Sequence, residues 1–305
     1  MARPEHSKHQ PERALARSRL LNMGTAYAMG TFNDNFFKQG ALLLAAAAGM
    51  YAIQGLATFL FALPFVLCSA WTGWLADYAP KKSIVVWSKG LELFAMLLAV
   101  YSLRILSWPL IVFVISFMGL QSTFFSPAIN GSIPENFPAE EVPGVNALLK
   151  LATTATILLG IALAGPILDL PAPSFLPPAL LPEGEYAFGR LALGAFAVLV
   201  SLIGLGTALR IKARPATARG QAPFPWFGPW DSLRQALALR RENPELFLAL
   251  MGEAFFYFAS SFAVLAITNL GKAELGYSMT LTSLLSVALM AGVCAGALLA
   301  GRWPV

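Results

Sequence analysis

The sequence predicts an all-α transmembrane fold, on three observations. Of its 305 residues, 57% are hydrophobic and only 12% charged, about half the roughly 25% charge content of an ordinary soluble domain. Eight apolar stretches approach or exceed the roughly 20 helical residues that cross a hydrocarbon core of about 30 Å; they run over 19–48, 52–76, 83–103, 108–129, 144–168, 188–209, 246–269 and 279–301. The basic residues gather in short clusters at the ends of these stretches, so the net charge of +5 speaks for membrane orientation. Nucleic acid is not an expected partner; membrane lipid is.

Alternation of the spans sorts the cations onto two faces. One face receives the basic arm (1–18 and Arg19: Arg3, Lys8, Arg13, Arg17, Arg19), Lys81 and Lys82, and the connection after span six with Arg210, Lys212, Arg214, Arg219, Arg234, Arg240 and Arg241. The other holds only Arg104, Arg190 and Lys272. This asymmetry is the positive-inside pattern and predicts a cytoplasmic N terminus. The loop with Glu135, Glu140 and Glu141 belongs to the cytoplasmic face without any Lys or Arg, but acidic residues hardly steer topology. The first apolar stretch is longer than a signal-peptide core and carries charges in its middle, so it reads as a span, not a cleaved leader.

The chain divides into the arm (1–18), a six-span region (19–209), a linker (210–245) and a second region with two spans (246–305). After span five, LPAPSFLPPALLPEGEY is proline-rich; proline removes amide donors, which predicts an extended loop. Within the linker, Trp230, Leu233 and Leu237 recur at helical spacing opposite Arg234 and Arg241, after Trp226 and Phe227. Two readings stand: an amphipathic helix in the headgroup region, or a helix packed across the bundle floor. Cys68 and Cys294 lie singly in apolar segments without metal or disulfide spacing, and no cofactor or metal is expected.

Candidate functional residues are those an apolar span should not contain. Asn33, Asp34, Asn35 and Lys38 lie near the middle of span one. A charge at a span's centre costs about 2.5–3.5 kcal/mol to insert, against roughly 0.3–0.6 gained per Leu or Phe, so these side chains must face protein or a wet cavity. Asp34 and Lys38, at i and i+4, could pair on one face as a packing device, or could form a substrate or proton site. Lys89 and Glu92 in span three are neighbours at i and i+3; the lysine could also snorkel to the interface. Asn146 and Lys150 in span five, and Glu253 in span seven, are further candidates.

Between spans two and three, Gly73, Asp77, Lys81 and Lys82 form a glycine–acid–basic-pair pattern, suited to two helix ends that approach closely and are tied by a breakable charge network. The alternative is a polar turn with orienting lysines. A fainter echo of the pattern stands at Ala297, Gly301 and Arg302. Span four ends FFSPAINGSIPE, where Pro127 and Gly131 predict a kink or a simple helix end.

Six spans, a basic linker and a second set resemble the layout of the major facilitator fold, whose halves are repeats of six helices. The GxxxDxxPKK loop resembles that fold's loop between spans two and three. Four segments in order, FNDNFFKQGALLL, LADYAPKKSIVVWSKGLE, FFSPAINGSIPE and NALLKLATTATILLG, resemble the lysophospholipid transporter branch of that superfamily. The resemblance implies eight of twelve spans: a complete N-terminal half and the first two helices of the C-terminal half, an apparently C-terminally truncated chain. It implies transport of lysophospholipid across the inner membrane of diderm bacteria, with a fused or separate acyltransferase as partner, and a latch formed by Asp77, Lys81 and Lys82. It further implies that Asp34, Lys38, Lys89 and Glu92 line the headgroup cavity. Where relatives carry Lys-Tyr after Ser-Pro-Ala, this chain has Ile129-Asn130, which removes a cation.

Three other functions remain open at this level: a facilitator for another amphipathic solute, the membrane part of a fused acyltransferase, and a non-transporting scaffold. Such acyltransferases place Asp five residues after His, whereas His6 and His9 are followed at that spacing by Pro11 and Ala14, so no enzyme is expected within these residues.

Overall fold

The computed structural model describes residues 6–216 and 223–300, and side chains from Arg17 onward apart from Cys294, Ala297, Leu298 and Ala300. Arg3, Arg219, Gly301 and Arg302, and the side chains of His6, Lys8, His9 and Arg13, lie outside the described residues.

The described chain is helical throughout, and each predicted span falls on one helix: α1 (His6–Ala47), α2 (Tyr51–Tyr78), α3 (Lys81–Arg104), α4 (Trp108–Gly131), α6 (Val142–Leu168), α7 (Ala187–Leu209), α9 (Pro244–Asn269) and α10 (Met279–Ala300). The shorter helices are α5 (Ile133–Asn136) and α8 (Gly228–Glu242), with a 3-10 turn at Pro178–Leu180 inside the loop expected to be extended and a π-helical segment at Leu270–Glu274. Among the described residues, six helical segments are long and apolar enough to cross a membrane by length and composition. α1 misses that standard because of the same polar residues that marked it as functional, and α10 is apolar over Met279–Val293. At about 1.5 Å per residue the 42 residues of α1 run well past one bilayer thickness. The arm therefore continues as helix into the first span, in keeping with its Ala, Leu, Arg and Glu content.

α1 is the central post. It packs along α6 and α7, while α2 lies against α4, α3 against α4 and α7, and α10 against α6. The close α1–α6 approach depends on Gly160, where a Cβ would come to 2.7 Å from the Phe32 carbonyl and 3.1 Å from the Phe36 amide. Two apolar clusters form the interior. One is built on Phe36, Phe37, Met96, Leu103, Met118 and Leu193. The other, toward the end that holds Lys81, is built on Met23, Ile84, Ile129, Leu149 and Ala208. Between these clusters in chain position, on α1, α3, α4 and α7, stand Asn33, Asp34, Lys89, Glu92, Gln121, Ser122 and Ser201, all buried.

The linker contains the expected helix. Its entry is pinned to α2, with Trp71 Nε1 donating to the Pro225 carbonyl at 2.8 Å and Phe224 meeting Trp74 edge to face at 5.2 Å. Trp226, Phe227, Trp230, Leu233 and Leu237 stay exposed. The helix touches α2 and α9 and leaves these side chains uncovered among the described residues. Asn243 then caps α9 through Oδ1, which accepts from the Leu246 amide at 3.0 Å.

Candidate functional site

The polar layer starts from a buried ion pair on one helix. Lys89 Nζ stands 2.6 Å from Glu92 Oε2, and both side chains are only 1% exposed. Their i,i+3 spacing on α3 makes the contact local and leaves the pair neutral as a unit. A buried pair is tolerated only when its remaining hydrogen-bonding capacity is met. Asn33 of α1 contributes to that: its Nδ2 donates to Glu92 Oε1 at 3.0 Å, and also reaches Ser201 Oγ at 2.8 Å and the Ala197 carbonyl at 3.0 Å. The ammonium lies 4.6 Å over the Phe125 ring. Gly30 leaves it room, since a Cβ there would collide with Lys89 Nζ.

Asp34 faces another direction. Ser122 of α4 donates its hydroxyl to Asp34 Oδ2 at 2.6 Å, and Gln121 Nε2 donates to Ser122 Oγ at 2.8 Å. Asp34 Oδ1 and Gln121 Oε1 are buried and have no hydrogen-bond partner among the described residues. Both residues border a cavity of about 160 Å³, shared with Tyr27, Thr31, Lys89, Glu92 and Phe125. Two residues that line the pocket thus carry an unpartnered buried acceptor each, beside an aromatic wall, a combination suited to a donor or a cation.

Lys38 and Asp34 are not in ion-pair contact; the described ion pairs are Lys81–Glu135 and Lys89–Glu92. Although i,i+4 spacing permits a pair, Asp34 turns to α4, and Lys38 stacks 4.4 Å over the Phe61 ring of α2. Asn35 does not join Asn33, because two residues on a helix lie roughly 200° apart. Its amide folds back onto the Thr31 carbonyl at 2.8 Å. Asn146, Lys150 and Glu253 are exposed and do not line the cavity. On α6 the buried positions of that turn belong to Val145 and Leu149, which carries their neighbours Asn146 and Lys150 onto other faces. Glu253 shares its stretch of α9 with exposed Phe255 and Phe256.

In the segment between α2 and α3, Lys81 is buried and meets Glu135 Oε1 of α5 at 2.5 Å. Gly131 makes room for it, since a Cβ would stand 2.8 Å from Lys81 Cε. Asp77 is exposed and Lys82 half-buried. Around Gly73 nothing lies within 4 Å of the place of a Cβ, so the close approach its glycine suggested is not made among the described residues. α4 passes through Pro127 without interruption and ends at Gly131.

Sequence reasoning missed Gln121, Ser122 and Ser201, the neutral members of the layer. Their signal was present as polar residues within apolar spans, but uncharged side chains occur too often in packed helices to stand out. It also read Arg190 as an orienting charge. Arg190 is 1% exposed and donates to the carbonyls of Leu103, at 3.3 Å, and Glu183.

A bundle of membrane-length helices with a buried charged layer and a small cavity beside it has the make-up of a polytopic membrane transporter. The match to the family model of the Major Facilitator Superfamily spans residues 22–304, and the chain belongs to that superfamily. It is accordingly a multi-pass secondary transporter of the major facilitator type. A search of curated proteins returned no match.

Proposed function

We propose that the transported solute is a lysophospholipid such as lysophosphatidylethanolamine, moved across a bacterial inner membrane by alternating access, with the N terminus in the cytoplasm. The observation that carries this reading is the pair of unpartnered acceptors, Asp34 Oδ1 and Gln121 Oε1, on residues that line a cavity walled by Tyr27, Phe65 and Phe125. A headgroup ammonium supplies the donors these oxygens lack, and aromatic faces favour the same cation. Lys38, one turn further along α1 and held on the Phe61 ring, carries the charge that a phosphate needs. The headgroup thus lies along α1 with its cation toward Asp34 and its anion toward Lys38, while the acyl chain stays against apolar helix faces or lipid. Lys89 and Glu92 back the cavity as a neutral pair. The absence of a cation at Ile129 and Asn130 agrees with a headgroup that brings its own positive charge. Re-acylation of the delivered lipid belongs to a fused or separate acyltransferase.

The test is uptake of labelled lysophosphatidylethanolamine into proteoliposomes by the wild-type chain and by an Asp34→Asn, Lys38→Met double variant. Loss of one charge-assisted contact at each end predicts a fall of about a hundredfold in the double variant. Equal transport by both proteins sinks the site. Failure of the wild type to move this lipid, together with transport of another amphipathic solute, sinks the substrate.

A further inference from the structure

The first amides of a helix have no acceptor within the helix and must find one elsewhere. At the start of α10, Ser278 serves one of them through its own hydroxyl, which accepts from the Leu281 amide at 3.1 Å. The next two are served from a different helix. The amide of Met279 donates to Asp169 Oδ1 at 3.3 Å, that of Thr280 donates to Asp169 Oδ2 at 2.8 Å, and the Thr280 hydroxyl donates to the same oxygen at 2.7 Å. Asp169 stands at the C-terminal end of α6, 110 residues earlier in the chain. Its carboxylate also meets the positive end of the α10 dipole.

The contact continues below the cap. The Gly165 amide donates to Ser283 Oγ at 3.1 Å, and the missing side chain at Gly165 lets the Met279 carbonyl come up against the α6 backbone. The bonds of Asp169 and of the Gly165 amide all join the first six spans to the pair of spans that follows the linker. Lys81–Glu135 at the other end links α3 to α5 and stays within the first six. Asp169 and Thr280 are half-buried beside the 170–186 loop, close enough to solvent for water to take over their bonds when they part.

We infer that Asp169 is a gating latch, holding the two sets of spans together at the end that carries the 170–186 loop, and that the transport cycle opens there by releasing the α10 cap. The inference rests on membership of the superfamily and not on the identity of the solute, and its test uses no substrate.

The experiment places single cysteines in the full chain after Cys68→Ser and Cys294→Ser. One reporter, Ser286→Cys, is buried on α10 beneath the latch; the other, Ser126→Cys, borders the cavity toward the Lys81 end. A membrane-impermeant maleimide is applied to each face of oriented membranes. Asp169→Ala removes three hydrogen bonds to the carboxylate and is expected to raise labelling of the α10 reporter from the loop face by about tenfold or more, and to lower labelling of the cavity reporter from the opposite face. Asp169→Asn keeps one of the two acceptor oxygens but neither the other nor the charge, and is expected to label between wild type and Asp169→Ala. Unchanged labelling in Asp169→Ala overturns the latch. A joint rise at both reporters also overturns it, because that is loosening of the fold and not a shift between two access states. Equal behaviour of Asp169→Asn and Asp169→Ala overturns the capping geometry as its basis.

Discussion

Ser122 of α4 holds Asp34 of α1 by a 2.6 Å hydrogen bond to Oδ2, and Gln121 supports that serine in turn. The two helices thereby share one carboxylate, whose second oxygen is buried without a hydrogen-bond partner among the described residues. Asp34 is aimed by α4 as much as by its own helix, and the cavity keeps its acceptor only while that aim holds.

Replacing Ser122 by Ala should therefore weaken solute binding without removing the charge. An unmade hydrogen bond to a buried charged group is worth about 1.5–3 kcal/mol, which corresponds to a rise in transport KM of roughly ten- to hundredfold. Ser122→Thr keeps the hydroxyl and should recover most of the loss. Initial-rate transport at varied solute concentration distinguishes the three proteins; a KM unchanged in Ser122→Ala would show that Asp34 needs no help from α4.

The buried pair on α3 leads to a non-additive result. Lys89→Met leaves Glu92 uncompensated among buried groups and should destabilise the protein by about 3–5 kcal/mol. Lys89→Met with Glu92→Gln removes both charges and should restore most of that stability. Thermal unfolding in detergent reads the difference, and a double variant no more stable than the single would mean that the pair is not the coupled unit its 2.6 Å separation describes.

Close packing of α1 on α6 is testable at Gly160. Gly160→Ala adds a methyl against the Phe32 carbonyl and the Phe36 amide, both backbone atoms that cannot swing aside. The overpacking cost is about 1–3 kcal/mol, seen as a lower melting temperature. Gly206→Ala on α7 is the control, since nothing lies within 4 Å of its new Cβ. There the better helix propensity of alanine should raise stability by up to about 1 kcal/mol.

The exposed face of α8 should meet lipid. In single-tryptophan variants, Trp226 and Trp230 are expected to be quenched more by phospholipids brominated near the headgroup than by those brominated near the end of the acyl chain. Quenching by neither would return α8 to the aqueous phase.

Hydropathy placed each apolar stretch on a helix and gave its bounds to within a few residues except at the start of α1, because insertion into lipid is nearly a local sum over each stretch of chain. Local spacing also made Lys89 and Glu92 neighbours, since three residues on a helix leave little choice. The same logic offered Asp34 and Lys38 to each other, yet each found a partner across a helix interface, Ser122 and Phe61. The capping of α10 by Asp169 has no local trace at all: a carboxylate beside a proline-rich loop looks like surface until α6 and α10 are brought together. Which spans are present was a property of composition, whereas which polar atoms meet was decided by packing. A buried donor or acceptor takes whatever partner the neighbouring helix presents, and that neighbour can stand anywhere in the chain.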